Sequence, residues 1–245
     1  MPKRLRTADK ILFILHFFGD FLEDDRNPLG LFSSSYKSVY SFTSNKKIRN
    51  HFQQAVYRLV REGRVVRGRS DGKVLLRLTA LGRNGLLKSF PNLNFRPRRD
   101  WDGHWRLVSF DVGESYRKVR GLLRSILSDF GFAKLHESLY INPLRVETDL
   151  KSYLESTHLD RFIHVFVSKS LLEDRRFYSQ LWHLDDLNEV YRRILKDFEA
   201  NHNLPLLRFR FLEAAATDPY LPFELLPDDW LGDYVEKKAL FKDRP

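Results

Sequence analysis

NKKIRNHFQQAVYRLVREGRVVRGRSDGKVLLRL, residues 45–78, reads as one long helix followed by a β-hairpin. Ile48, Phe52, Ala55, Val56 and Leu59 recur at three- and four-residue spacing, which predicts a helix from about Asn45 to Glu62. Thr43 or Ser44 can cap its start, and Gly63 supplies a left-handed stop. Two β-rich runs then flank Ser70-Asp71-Gly72, a hairpin with an Asp-Gly turn.

A step of ~100° per residue sets the apolar stripe of this helix on one side. Lys46, Lys47, Asn50, Gln53, Gln54, Tyr57 and Arg61 fall on the other. Lysine and arginine neutralise phosphates, whereas asparagine and glutamine both donate and accept at an adenine edge. The N-terminal part of a recognition helix points into the major groove, so Asn50, Gln53 and Gln54 are the expected base contacts. Arg64, Arg67, Arg69 and Lys73 of the hairpin suit the DNA backbone or minor groove. Residues 37–77 hold 11 Lys/Arg against 2 Asp/Glu. A helix that merely faces solvent mixes its signs for i,i+4 pairing, and this one does not.

Outward from that segment, apolar residues at helical spacing predict a helix from about Asp9 to Leu22. DDRNPLG breaks the chain, and SSYKSVYSF is read as a short second helix. ALGRNGLLKSF closes the region as a further helix ending at Pro91. Helix, short helix, long helix, hairpin, helix is the order of a winged helix-turn-helix, assigned to residues 1–90. PNLNFRPRRD, residues 91–100, reads as a linker.

Residues 101–175 alternate strand and helix. WRLVSFDV is a strand, Ser115 to Phe130 an amphipathic helix, HESLYINP a strand, LRVETDLKSYLES a helix and RFIHVFVS a strand. This pattern fits a small ferredoxin-like domain that lacks an identified fourth strand. Residues 176–245 read as a helical domain, with LWHLDDLNEVYRRILKDFEA and LLRFRFLEAAAT as helices and DPYLPFELLPDDW as a proline-rich packed turn. The fold class expected for the whole chain is α+β.

The charge is divided unevenly along the 245 residues. Of the net +10, residues 1–90 carry +11, residues 91–100 carry +2 and residues 101–245 carry −3. A basic end joined to a near-neutral remainder points to a polyanion-binding domain attached to something with another task. There is no cysteine, so disulfides and thiolate metal sites are excluded. No apolar run approaches the ~20 residues that span a bilayer, and no signal peptide is read. A cytoplasmic protein without membrane association is expected.

The stretch IRNHFQQAVYRLVREGRVVRGRSDGKVLLRLTALG resembles the DNA-binding region of the PaaX family of transcriptional repressors. The resemblance extends through WDGHWRLVSFDVGESYRKVRGLLRSILSDFGFAKLHESLYINP to LWHLDDLNEVYRRILKDFEA and DPYLPFELLPDDW. It implies an N-terminal winged helix, a middle dimerisation domain and a helical C-terminal domain. It also implies a homodimeric repressor of double-stranded DNA, released by an aryl-coenzyme A thioester. The middle domain further resembles the CRISPR-associated protein two, in which an aspartate ending a strand meets its mate across a dimer axis and binds a divalent metal. Asp111 holds the matching position, which makes a metal-dependent nuclease or CRISPR-adaptation component the alternative reading.

No other constellation carries chemistry. The eight histidines show no paired ligand spacing, and Ser33–Ser35 lacks a Gly-x-Ser-x-Gly context. Acidic pairs such as Asp185–Asp186 suit helix first turns. The expectation is a regulator without cofactor, and no enzyme.

Overall fold

The computed structural model describes residues 5–19, 21–22, 45–70, 73–94, 100–113, 116–169, 175–202 and 204–240. The segments DDRNPLG and SSYKSVYSF, the cap at Thr43 or Ser44 and the Asp71-Gly72 turn lie outside these residues. The chain is α+β, with antiparallel sheets, and divides into two compact units. One comprises residues 1–88, 187–218 and 231–245, and the other residues 89–186 and 219–230. Each compact unit is discontinuous in sequence. Among the described residues, no helix is long and apolar enough to cross a membrane.

The first unit opens with α1 (Thr7–Phe18). Ile11, Leu12, Phe13, Ile14 and Leu15 are all buried, so this helix is apolar nearly all round and needs cover on several sides. It packs against α2 (Asn45–Arg61), β3 (Lys73–Leu78) and α8 (Leu204–Ala215). Buried Lys10 bonds Glu213 at 2.8 Å, and Phe17 meets Phe211 edge-on at 5.4 Å. The helix stops sooner than its apolar spacing predicts. Gly19 turns at φ 79°, and β1 (Phe21–Leu22) instead pairs with Leu76 and Leu75 of β3. With β2 (Val65–Ser70) they form a three-stranded sheet in the order β1-β3-β2.

One junction ties α2 to the hairpin and to α3 (Ala80–Ser89). Gly63, at φ 68°, sends its N–H to Val60 O, and Arg64 N–H reaches Leu59 O at 2.9 Å, the paired bonds of a Schellman stop. The Thr79 hydroxyl donates to the carbonyls of Gly63 and Arg64, at 2.7 and 3.0 Å. The same oxygen accepts from Gly82 N–H at 3.0 Å and so caps α3. Gly82 is buried there, and a Cβ on it would collide with the Arg64 carbonyl.

Residues 184–240 supply α7 (Leu184–Asn201), α8 and α9 (Gly232–Leu240). Leu181, expected at the head of α7, ends the preceding α6 (Arg175–Leu181), and His183 at φ 54° separates the two helices. In the first unit the buried Tyr191 hydroxyl donates to Asp218 at 2.8 Å, and Asn188 accepts Leu231 N–H at 2.8 Å near the start of α9.

The second unit holds a four-stranded antiparallel sheet of β4 (Trp105–Phe110), β5 (Ala133–His136), β6 (Leu139–Asn142) and β7 (Ile163–Ser168), in the order β5-β6-β4-β7. The strand expected over HESLYINP proves to be part of a hairpin, because Ala133–His136 also pairs with it around Glu137-Ser138. That hairpin supplies the missing fourth strand. Two helices, α4 (Arg117–Asp129) and α5 (Glu147–Ser156), bury Leu123, Leu127, Leu150 and Leu154 with Val108, Phe110 and Tyr140 of the sheet. Trp105 and Ile141 form a separate cluster with Tyr178 and Leu225, and Trp105 stacks on Tyr178 at 4.6 Å.

Gly82→Ala should destabilise the first unit by about 3 kcal/mol, because the colliding atom is backbone and cannot rotate away. Thr79→Val, which keeps the volume and loses the cap, should cost about 1 kcal/mol. Urea titration followed by circular dichroism checks both.

Candidate nucleic-acid interface

Helix α2 is divided as its sequence requires. Phe52, Ala55, Val56 and Leu59 are buried, Val56 and Leu59 completely. Asn50, Gln53, Gln54, Tyr57 and Arg61 are exposed, with Tyr57 at 62%. An exposed tyrosine amid amides and cations has a flat apolar ring and a hydroxyl available to a partner. Lys46 and Lys47 sit on the first turn of α2, but their side chains are outside the described set.

The structure adds Arg58, which is exposed one turn beyond Gln54. Extending the i,i+4 count from Gln54 finds it in the sequence. Acidic residues are absent from the first turn of α2, while Arg58 and Arg61 stand in its last.

In the hairpin, Val65, Arg67 and Arg69 alternate onto one sheet face, opposite Leu78, Leu76 and Val74. Val65 and Leu76 on that face are fully buried beneath the helices, so Arg67 and Arg69 continue the helix-bearing side outward, both exposed. Arg77 pairs with Val66 and belongs to the other face. Lys73 lies opposite Ser70, with its side chain outside the described set.

Arg64 is engaged with the protein itself. It approaches Glu62 at 3.9 Å, and a Cβ on Gly85 would meet its Nη2 at 3.1 Å. Its guanidinium therefore braces α3 as well as adding positive charge.

The second unit contains a dense charge cluster around Arg106, which is 2% exposed. Its guanidinium bonds Asp102 at 2.6 and 2.8 Å and Glu147 at 2.9 and 3.1 Å. It also donates to the carbonyls of His104 and Pro143, at 2.9 and 3.2 Å. All three nitrogens are engaged, so the cluster is scaffold and offers no free donor to a ligand. The Arg106 hydrogen bond holds the Asp102 carboxyl well below the usual carboxylate range, against the opposing effect of burial. Burial disfavours the Arg106 charge, but the bonds to Asp102 and Glu147 outweigh it and raise the pKa.

Asp111 stands one residue beyond β4 and is exposed. Among the described residues, no group of three His, Asp or Glu side chains is placed to hold a metal ion.

Together these features define a modular α+β protein in which a basic helix and hairpin precede a four-stranded antiparallel domain. Residues 98–177 match the family described as the PaaX protein central Cas2-like domain. Through that domain the chain is related to the PaaX family. It is 26% identical over 163 residues to the transcriptional repressor PaaX of Escherichia coli (strain K12), a stretch covering 54% of this chain. That stretch spans 48% of the repressor, about half its length. The uncharacterized protein Rv0674 from Mycobacterium tuberculosis shares the fold, with a TM-score of 0.55, 22% identity and 84% coverage of both chains.

Asp102→Ala should cost the second unit about 3 kcal/mol near neutral pH, because it strands part of a buried guanidinium. A depressed carboxyl stabilises the fold above its unfolded pKa of ~3.9, and that contribution is lost as pH falls toward the folded value. Wild-type stability should therefore decline on acidification below about pH 4, and Asp102→Ala should flatten part of that decline. Urea titrations at a series of pH values measure it.

Proposed function

We propose that this chain is a sequence-specific, double-stranded-DNA-binding transcriptional regulator that acts as a homodimeric repressor. The observation that carries the reading is the two-sided α2, with its apolar stripe in the core and its amides and cations in solvent. Residues 1–90 are taken as the winged helix-turn-helix, with α2 as recognition helix and the β2-β3 hairpin as wing. Residues 101–175 are taken as the ferredoxin-like dimerisation module. The sheet order β5-β6-β4-β7 and the succession strand, helix, strand, strand, helix, strand support that assignment. Residues 176–245 form the helical part, and an aryl-coenzyme A thioester is the effector class in view.

In this reading Asn50, Gln53 and Gln54 contact base edges. Arg58, Arg61, Arg67 and Arg69, with Lys46, Lys47 and Lys73, neutralise phosphates. Tyr57 packs beside them, and Arg64 adds charge from the hairpin base.

Selection of bound sequences from a random duplex pool tests specificity and half-site spacing together. A regulator should prefer its selected site by at least ~10³-fold over random duplex at fixed salt. Gln53→Ala with Gln54→Ala should cost roughly 1–3 kcal/mol on the selected site and little on random DNA. Arg67→Ala with Arg69→Ala should weaken every sequence alike and reduce the salt slope by about 2. Equal binding of selected and random duplex would overturn the regulator reading in favour of a non-specific DNA binder.

A further inference from the structure

The exposed side chains described on α2 are Asn50, His51, Gln53, Gln54, Tyr57, Arg58 and Arg61. Tyr57 alone among them brings a large apolar surface, and it is exposed by 62%. Among the described residues, no hydrogen bond or ring contact holds it to the rest of the protein. One exposed aromatic residue is ordinary on a protein surface, so its place in a row is what gives it meaning. A step of ~100° per residue sets Asn50, Gln54, Tyr57 and Arg61 within about 60° of one another. That row lies opposite the buried Phe52, Val56 and Leu59. A phenol ring thus stands in line with amides and a cation, on the side of the helix turned furthest from the core.

The floor of the major groove is mostly hydrogen-bond donors and acceptors, which amides and guanidinium groups match. Of the four bases, only thymine adds an apolar group there, its 5-methyl. An aromatic ring suits that methyl as asparagine and glutamine suit the adenine edge, and adenine and thymine share one base pair.

We propose that Tyr57 is a specificity-determining residue whose ring packs against a thymine 5-methyl group in the major groove. This deepens the DNA-binding reading above and rests on it. A rise of ~1.5 Å per residue puts Tyr57 about 4.5 Å along α2 from Gln54, against a base step of ~3.4 Å. The thymine therefore lies within one or two base pairs of the base that Gln54 contacts. The ring supplies the contact, and the hydroxyl stays with water.

The test uses the full chain and a duplex selected from a random pool, with each thymine replaced in turn by deoxyuridine. That replacement removes only the methyl, and losing one buried methyl costs about fourfold in affinity. At one thymine the wild-type chain should show this fourfold loss in a titration at fixed salt. In Tyr57→Ala the same replacement should change nothing. Tyr57→Phe should keep both wild-type affinity and the full uracil penalty. Because Tyr57 is exposed, both variants should retain the wild-type circular dichroism. Suppose instead that Tyr57→Phe binds as weakly as Tyr57→Ala, on selected and random duplex alike. The hydroxyl would then belong to a phosphate, and the methyl contact is refuted. A flat uracil scan, or a penalty that persists in Tyr57→Ala, refutes it too while leaving the regulator reading in place. A pool that yields no preferred sequence overturns that reading and this contact together.

Discussion

The presentation of α2 depends on two carbonyl groups just past its C-terminal end, those of Gly63 and Arg64. Both accept the Thr79 hydroxyl, and Arg64 O also takes Thr79 N–H at 3.2 Å. The chain leaves α2 through Gly63, runs out and back along β2 and β3, and returns at Thr79 to those carbonyls. Helix end, hairpin base and α3 cap are thus held by one short set of hydrogen bonds. The buried Gly82 lets α3 approach without a side chain between. An amide that reads a base edge must be positioned to a fraction of an ångström, and a helix fixed at its end is a better platform than a loop. Arg67 and Arg69 gain from the same clamp, since it sets which face of the hairpin continues outward from the helices.

The second unit solves a different problem. Its central strand β4 carries Arg106 at a buried position, which is costly unless every donor is met. Asp102 comes from just before the strand and Glu147 from the first turn of α5, so the guanidinium joins strand, approach loop and helix. Apolar residues of the same volume would have packed there with less desolvation. The ion cluster instead ties the first turn of α5 to β4.

The helix and hairpin were legible because the evidence for them is local. A period of 3.6 sorts Phe52, Ala55, Val56 and Leu59 from Asn50, Gln53 and Gln54, and a glycine at the right offset ends the run. Phe21 and Leu22 misled because they continue the apolar spacing of α1. Their strand state depends on Leu75 and Leu76, far along the chain, and on the turn at Gly19. The β5-β6 hairpin was half missed because its turn is Glu137-Ser138, without glycine or asparagine to mark it. The grouping of the last helices with the first had no local sign at all. It follows from burial of Lys10 against Glu213, 203 residues apart, and from the contact of Phe17 with Phe211. Alternation along β4 puts Arg106 on the apolar face of Val108 and Phe110, and only Asp102 and Glu147 placed around it account for a cation there.

For the regulator proposed above, the charge pattern bears on one question, namely how a chain with a single recognition helix would achieve specificity. Base contacts by three amides supply a few kcal/mol, roughly 1–3 for each good bidentate pair, which is little against the many competing sites of a genome. Adding more cations would not help, because phosphate contacts raise affinity for every sequence equally. Joining two copies does help, since the second helix then binds at a high effective concentration and only where a second half-site lies at the right spacing. A rigid coupling is required for that spacing to mean anything. In the proposed regulator the basic residues concentrated in 1–90 would hold DNA, and the coupling of two copies would set the spacing at which it is read.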